Sequence, residues 1–194
     1  MIPRHFQIAI GLLLAAILII GLSMIRLSQQ PGSLQGAEPR PAAPPLTGKR
    51  EQIRILVAYD EDQALRWRDS EVFMPEDRGL RAREALRAVL AQYLQSPSPH
   101  PLGRGADIRD VYLIGNDTLV VDTTSQFADG HPSGILIEQL FLISLIETLN
   151  ANVPGIARVK FLVNGRERET LAGHIDLASF YQTAAVHELA KEFE

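Results

Sequence analysis

The chain has 194 residues, 46% of them apolar, which suits one domain with an ordinary core plus appendages. Its net charge of −4 is split: residues 1–50 carry five Lys and Arg against one Glu, whereas residues 51–194 carry 14 against 22 acidic residues, a net −8. An acidic folded part excludes nucleic acid as a partner, because phosphate contacts need clustered Lys and Arg, and the absence of cysteine excludes disulfides and a lipid-modified cysteine.

Residues 6–25, FQIAIGLLLAAILIIGLSMI, form an uncharged run of 20. As a helix it reaches about 30 Å, the thickness of a bilayer's hydrocarbon core. The run continues to Met24-Ile25-Arg26-Leu27 with no small-residue cleavage site, so the expectation is an uncleaved transmembrane anchor, with residues 1–5 cytoplasmic. Arg4 and His5 before the span and Arg26 after it leave the flanking charge nearly even. Its N-terminal position, typical of export signals, places the bulk of the chain outside the cytoplasm. Residues 26–51, with SQQPGSLQGAEPRPAAPPLTGKR at 28–50, are expected to form a Pro/Gly-rich linker, too poor in apolar residues to fold.

Ile53, Ile55, Val57 and Tyr59 alternate with other residues at strand period. Leu65-x-Trp67 and Val72-Phe73 suggest a short extended excursion. Residues 79–94 place Ala82, Ala85, Leu86, Val89, Leu90 and Tyr93 on one face of a helix, with Arg81, Arg83, Glu84 and Arg87 opposite. SPSPHP ends it. Strands over Ile108–Ile114 and Thr118–Thr124 flank the turn Gly115-Asn116-Asp117. The stretch SQFADGHPSG reads as a loop, with Ser133 as N-cap of a second helix. That helix, ILIEQLFLISLIETL, is apolar on nearly every side, so it is central in the core or covered by a partner.

A strand over Ala157–Val163 then meets Asn164-Gly165, a strong hairpin signal. A two-residue turn there predicts that Val163 pairs with Arg166, Leu162 with Glu167 and Lys160 with Glu169, with Arg158 and Glu167 diagonal. The charges of RERE at 166–169 then belong to a solvated hairpin edge, not to a catalytic cluster. Arg168 would share a face with Phe161, which predicts a short or edge strand there.

No G-x-S-x-G, P-loop, H-E-x-x-H or G-x-G-x-x-G occurs. Asp129, His131 and Ser133 invite a triad, but residues this close in one loop seldom bring nucleophile, base and orienting group together. His174 is expected to bond the backbone or face solvent, and His100 lies in the proline loop. Ligand spacing for a metal is lacking, and DEDQ at 60–63 has neither the spacing nor the glycine of a calcium loop. No catalytic, cofactor-binding or metal-binding residue is assigned.

The order of VYLIGNDTLVVDTTSQFADGHPSG, the apolar helix ending IETLNANVPGIARVKFLVNG, and ERETLAGHIDL resembles the GerMN domain, the sporulation and germination module, over roughly Ile53 to Tyr181. The resemblance implies an α/β (α+β-like) fold: a single compact domain with a small mixed β-sheet and two main helices on one face, akin to ring-building motifs. It also implies a non-catalytic, exported, membrane-tethered module acting by protein association, with no cofactor. The expected organisation is a domain at 52–181 and a helical C-terminal tail at 182–194, the protein sitting in the bacterial inner membrane with its domain extracytoplasmic. The expected partners are the membrane, envelope proteins and further copies of the chain, and the alternative is an envelope hydrolase or small-ligand binder using the Asp129–Ser133 loop. Two surfaces stand out as docking candidates: surplus apolar positions of the second helix, and the edge strand after Asn164-Gly165.

Overall fold

The structure is a computed structural model and describes residues 48–193. The expected anchor at 6–25, the residues before it and nearly all of the linker therefore lie outside the described residues. Strands β1 (Lys49–Tyr59) and β2 (Ala64–Met74) open the fold as one antiparallel hairpin. Helix α1 (Arg78–Leu94) follows, then β3 (Ile108–Ile114), β4 (Thr118–Thr123), α2 (Ser125–Asp129), α3 (Ile135–Asn152), β5 (Arg158–Val163), β6 (Tyr181–Gln182) and α4 (Thr183–Ala190). Where the sequence predicts one mixed sheet, the strands form two. The hairpin stands alone, and the other four run in the order β3-β4-β5-β6, with β4 and β5 parallel and the outer pairs antiparallel. The fold class is mixed α/β, as expected.

The short excursion after Tyr59 is in fact an 11-residue strand, paired residue for residue with β1. The alternation there is masked because β2 lies at an edge and carries Arg66, Arg68, Asp69 and Glu71 on it, all exposed. Among the described residues β1 finds no strand on its other side. Instead its Leu56 N–H donates to Thr148 Oγ1 (2.9 Å) and its Ala58 N–H to Tyr93 Oη (2.8 Å), while its Arg54 carbonyl accepts from Asn152 Nδ2 (2.6 Å). Side chains of α1 and α3 thus satisfy an edge that would otherwise bury unpaired backbone groups.

Helix α1 is capped by Asp77, whose Oδ1 accepts from Leu80 N–H at 2.8 Å, and it buries the six apolar positions that the spacing marks. The start of α3 differs from expectation. Gly134, not Ser133, is its N-cap, and SQFAD before it forms α2 instead of loop, burying Phe127 and Ala128. Helix α3 is long and apolar enough to cross a membrane by composition, yet Leu140 through Leu149 are all buried in the core.

At Asn164-Gly165 both residues have positive φ, +51° and +73°, and Val163 and Arg166 exchange backbone hydrogen bonds of 2.9 and 3.1 Å. The turn is therefore the predicted one, but the chain leaves the sheet immediately after it. No strand follows, so the expected edge-strand surface does not exist among the described residues; β6 takes the place beside β5. Lys160 pairs with Glu167 rather than Glu169 and donates to Ala178 O at 2.8 Å, and Arg158 approaches Asp117 (4.0 Å). Arg168 avoids the Phe161 face by turning to Asp129, 2.5 Å away. The turn itself is tied down by Gly165 N–H donating to the buried Asp122 Oδ1 at 2.6 Å and Asn164 N–H to Thr123 O at 2.8 Å.

The folded unit also continues past residue 181. Val186 and Ala190 of α4 belong to the core cluster, and Leu65 N–H donates to Phe193 O at 2.8 Å, so residues 182–193 complete the domain instead of trailing it. At the other end β1 already starts at Lys49, within the expected linker.

Gly165 has no neighbour where a Cβ would stand, so a side chain there costs backbone strain alone. Gly165→Val is expected to lower stability by about 1–3 kcal/mol, because a β-branched residue resists positive φ. Arg166→Ala, at an exposed position, should change it by less than about 0.5 kcal/mol. Thermal or denaturant melts of the two variants check both values.

Candidate functional site

Of the polar residues that interrupt the apolar surface of α3, Glu138, Ser144, Glu147 and Thr148 are buried and Asn152 is half-buried. Burying a carboxylate is costly unless it is fully hydrogen-bonded. Glu138, 0% exposed, meets that demand. Its Oε2 accepts from the N–H groups of Ala172 (3.0 Å), His174 (3.2 Å) and Ile175 (3.0 Å). Its Oε1 accepts from Gly134 N–H (3.2 Å) and His174 Nδ1 (2.8 Å). Burial pushes the carboxyl upward, but the hydrogen bonds from Ile175, His174, Ala172 and Gly134 outweigh it and hold the pKa at about 2. The segment Leu171-Ala172-Gly173-His174 is thus a backbone cradle wrapped round one carboxylate. His174 neither simply bonds backbone nor simply faces solvent: it closes the cradle with its ring while keeping 40% of its side chain exposed.

The cradle builds the wall of a groove. With its N–H fixed on Glu138, Ile175 turns its side chain into a cavity of about 340 Å³ between α3 and α4. Leu142, Ile143 and Ile146 form the floor, and Val186, Leu189 and Tyr181 form the opposite side. Gln139 and Asp176 are the polar residues of the lining, and Tyr181 Oη donates to Asp176 O, fixing the rim. Helix α4 is pinned across the groove by His187 Nδ1, 2.8 Å from Glu147 Oε2. The other oxygen of Glu147 has no hydrogen-bond partner among the described residues, so this pair is less completely satisfied than Glu138. The surplus apolar positions of the second helix do therefore leave an opening, though on the flank that α4 covers in part.

The residues of the suspected triad point to three different places. Asp129 pairs with Arg168, Ser133 Oγ donates to Ala172 O (3.0 Å), and His131 lies buried with Nδ1 against its neighbour's Pro132 O (2.7 Å) and Nε2 against His100 Nε2 (3.1 Å). His100, fully buried, reaches Asp60 Oδ1 with Nδ1 at 2.8 Å. Phe141 stacks on His100 at 4.9 Å and meets His131 edge-on at 4.6 Å. Gly103 and Gly130 allow the rings to meet: a Cβ on either would stand 3.0 or 2.9 Å from the other's Cα. Among the described residues no group of three or more His, Asp or Glu side chains is arranged to hold a metal. The sequence signal that could have found Glu138 and Glu147 is their isolation on an apolar helix. Their partners, 30 to 40 residues downstream, were not deducible from spacing.

Because the folded carboxyl of Glu138 titrates at about 2, against about 4.5 when unfolded, its stabilisation is fully present above pH 4.5 and is lost as pH falls toward 2. Glu138→Gln puts an NH₂ group where donors already converge. It should cost roughly 2–3 kcal/mol at neutral pH and flatten that part of the acid limb. Stability measured against pH for both proteins checks the sign and the window.

With this geometry in place, comparison with known proteins gives a family match and partial likenesses to solved structures. Among curated proteins there is no match. Among solved structures, a candidate lipoprotein from Clostridium perfringens is 17% identical over 69% of this chain and 87% of its own, with a TM-score of 0.47. The tandem GerMN domains of the sporulation protein GerM from Bacillus subtilis are 16% identical over 68% of this chain and 45% of theirs, at a TM-score of 0.45, so this chain spans just under half of that pair. The first GerMN domain of the same protein is 16% identical over 66% of this chain and 94% of its own, at 0.44. The family model described as Germane, sporulation and spore germination, matches residues 58–169, more than half of the chain. The chain belongs to the Germane family of sporulation and spore germination and carries a GerMN-type domain.

Proposed function

We propose that this protein is a non-catalytic, membrane-anchored interaction module on the extracytoplasmic side of the bacterial inner membrane. It acts by protein association in an envelope or sporulation-related complex. The observation that carries this reading is the groove between α3 and α4. It is apolar apart from Gln139 and Asp176, open to solvent, and framed by two helices. A third helix, laying aliphatic side chains into it, is the occupant such a shape favours. The folded part carries −8 and Asp176 lies on the rim, so the partner helix should flank its apolar stripe with Lys or Arg. The uncharged run at 6–25 supports tethering at the membrane, with the residues that follow as spacer.

A photoreactive residue at half-buried Leu189, in the full chain in its native membrane, tests the proposal. The expected result is one discrete adduct with a basic, helix-bearing envelope protein, reduced at least about tenfold by Ile175→Lys in the folded protein, as loss of a central apolar contact should do. An adduct unchanged by Ile175→Lys would overturn the groove as the site. An envelope defect caused by Asp129→Asn or Ser133→Ala, with the adduct intact, would overturn association as the function and favour a hydrolase or ligand binder at that loop.

A further inference from the structure

The buried histidine pair has a proton count that its geometry dictates. His131 Nδ1 lies 2.7 Å from the Pro132 carbonyl oxygen, which can only accept, so that nitrogen carries hydrogen. His100 Nδ1 lies 2.8 Å from the Asp60 carboxylate and must donate as well. The two Nε2 atoms, 3.1 Å apart, need one hydrogen between them. Two imidazoles thus hold three ring hydrogens, and the pair carries a single positive charge beside Asp60.

The surroundings decide which ring bears it. Burial, and then the neighbouring His100 ring, hold His131 down to about 4, so His131 is the ring that resists charge. The other groups facing the pair leave this intact. Tyr93 of α1 meets His100 edge-on at 4.9 Å, its hydroxyl occupied by Ala58 N–H and Ser144 Oγ and held neutral by burial. Glu138 of α3 favours charge on His131, but its carboxylate is hydrogen-bonded within its own cradle, to His174 among others. Asp129 of α2 is paired with Arg168, and Arg104, after His100, is exposed. Asp60 is the carboxylate in direct contact.

We propose that Asp60, His100 and His131 form a latch closed by one shared proton, which a second proton on the pair opens. The latch joins three separate segments: the tip of the β1–β2 hairpin, the 96–106 loop and the stretch between α2 and α3. Backbone hydrogen bonds reinforce it at Asp60 N–H to Pro99 O (3.1 Å) and Gly103 N–H to Gly130 O (3.2 Å). A second added proton leaves two N–H groups pointing at each other across 3.1 Å, with two buried positive charges, and the rings must part. A cleft of about 340 Å³ lies over the same joint, walled by Tyr59, Glu61 and Asp62 on one side and Gln95, Pro97 and Pro99 on the other, so it widens when the latch releases. Since unfolded histidine titrates near 6.5 and folded His131 at about 4, the second proton is taken up by the unfolded chain first, and the stabilisation held near pH 6.5 is lost as pH falls through 4. The window lies above that of Glu138, so the latch opens before the cradle fails.

Backbone hydrogen exchange of the full chain in detergent, corrected for intrinsic rates, tests this. Between pH 6.5 and 4, peptides covering 60–63, 97–106 and 130–134 should lose protection by at least about tenfold while α1 and α3 keep theirs. His131→Gln offers an amide donor to Pro132 O and an acceptor to His100 without titrating, so its protection should stay flat through the same range. Asp60→Asn, at a partly exposed site, should do the reverse and open the joint toward neutral pH, because the carboxylate that holds the third hydrogen is gone. Circular dichroism at pH 7 establishes that each variant folds, and Asp60→Asn alone decides the matter if His131→Gln does not. A wild-type acid profile in His131→Gln, no change in Asp60→Asn, or a stoichiometric metal bound between the rings would overturn the latch.

Discussion

An 18-residue helix with apolar side chains on every face cannot be left half in water, and α3 imposes that demand on everything else. Four elements answer it. The β1–β2 hairpin, α1 and α4 pack round it, and the 171–175 segment crosses its N-terminal turns. The burial supplies most of the driving force, but apolar contact is non-directional and does not fix which element goes where. Direction comes from the polar residues of the helix. Ser144 takes the hydroxyl of Tyr93 on α1, Thr148 takes the Leu56 N–H of β1, Asn152 reaches the Arg54 carbonyl of the same strand, Glu147 holds His187 of α4, and Glu138 holds the 171–175 cradle. Each is an address for one wrapping element.

This arrangement links stability to the surface that the domain presents. The cradle that hydrogen-bonds the Glu138 carboxylate is the same segment that turns Ile175 into the groove, and the Glu147–His187 pair sets the groove's other wall. A buried charge that must find hydrogen bonds therefore shapes an apolar opening it does not itself line. The groove and the histidine joint lie at different parts of the fold and draw on different chemistry, one on apolar shape and the other on proton count. A change at one can leave the other in place.

Much of the domain was legible in the sequence because its signals were local. The six buried positions of α1 follow from 3.6-residue spacing, the Asn164-Gly165 turn from the two positive φ values it needs, and the limits of β3 and β4 from β-rich runs round a three-residue turn. The resemblance to GerMN domains followed from the order of such segments, and the family match over residues 58–169 agrees with it. Where a residue's environment is set by its neighbours in the chain, the chain alone states it.

What failed to appear was decided at a distance. β2 looked irregular because an edge strand with charges on it keeps no clean alternation, and the hairpin after Asn164-Gly165 looked longer than it is because β6, from 18 residues beyond Val163, claims that edge of β5. Asp129, His131 and Ser133 stood together in sequence and parted in space, drawn to Arg168, His100 and Ala172. The sequence by itself determined the composition of the core, the turn chemistry and the helix that must be buried all round. Only the tertiary structure decided which carboxylate met which histidine or backbone cradle, since hydrogen bonding between residues 31 to 40 positions apart leaves no periodic trace in the chain.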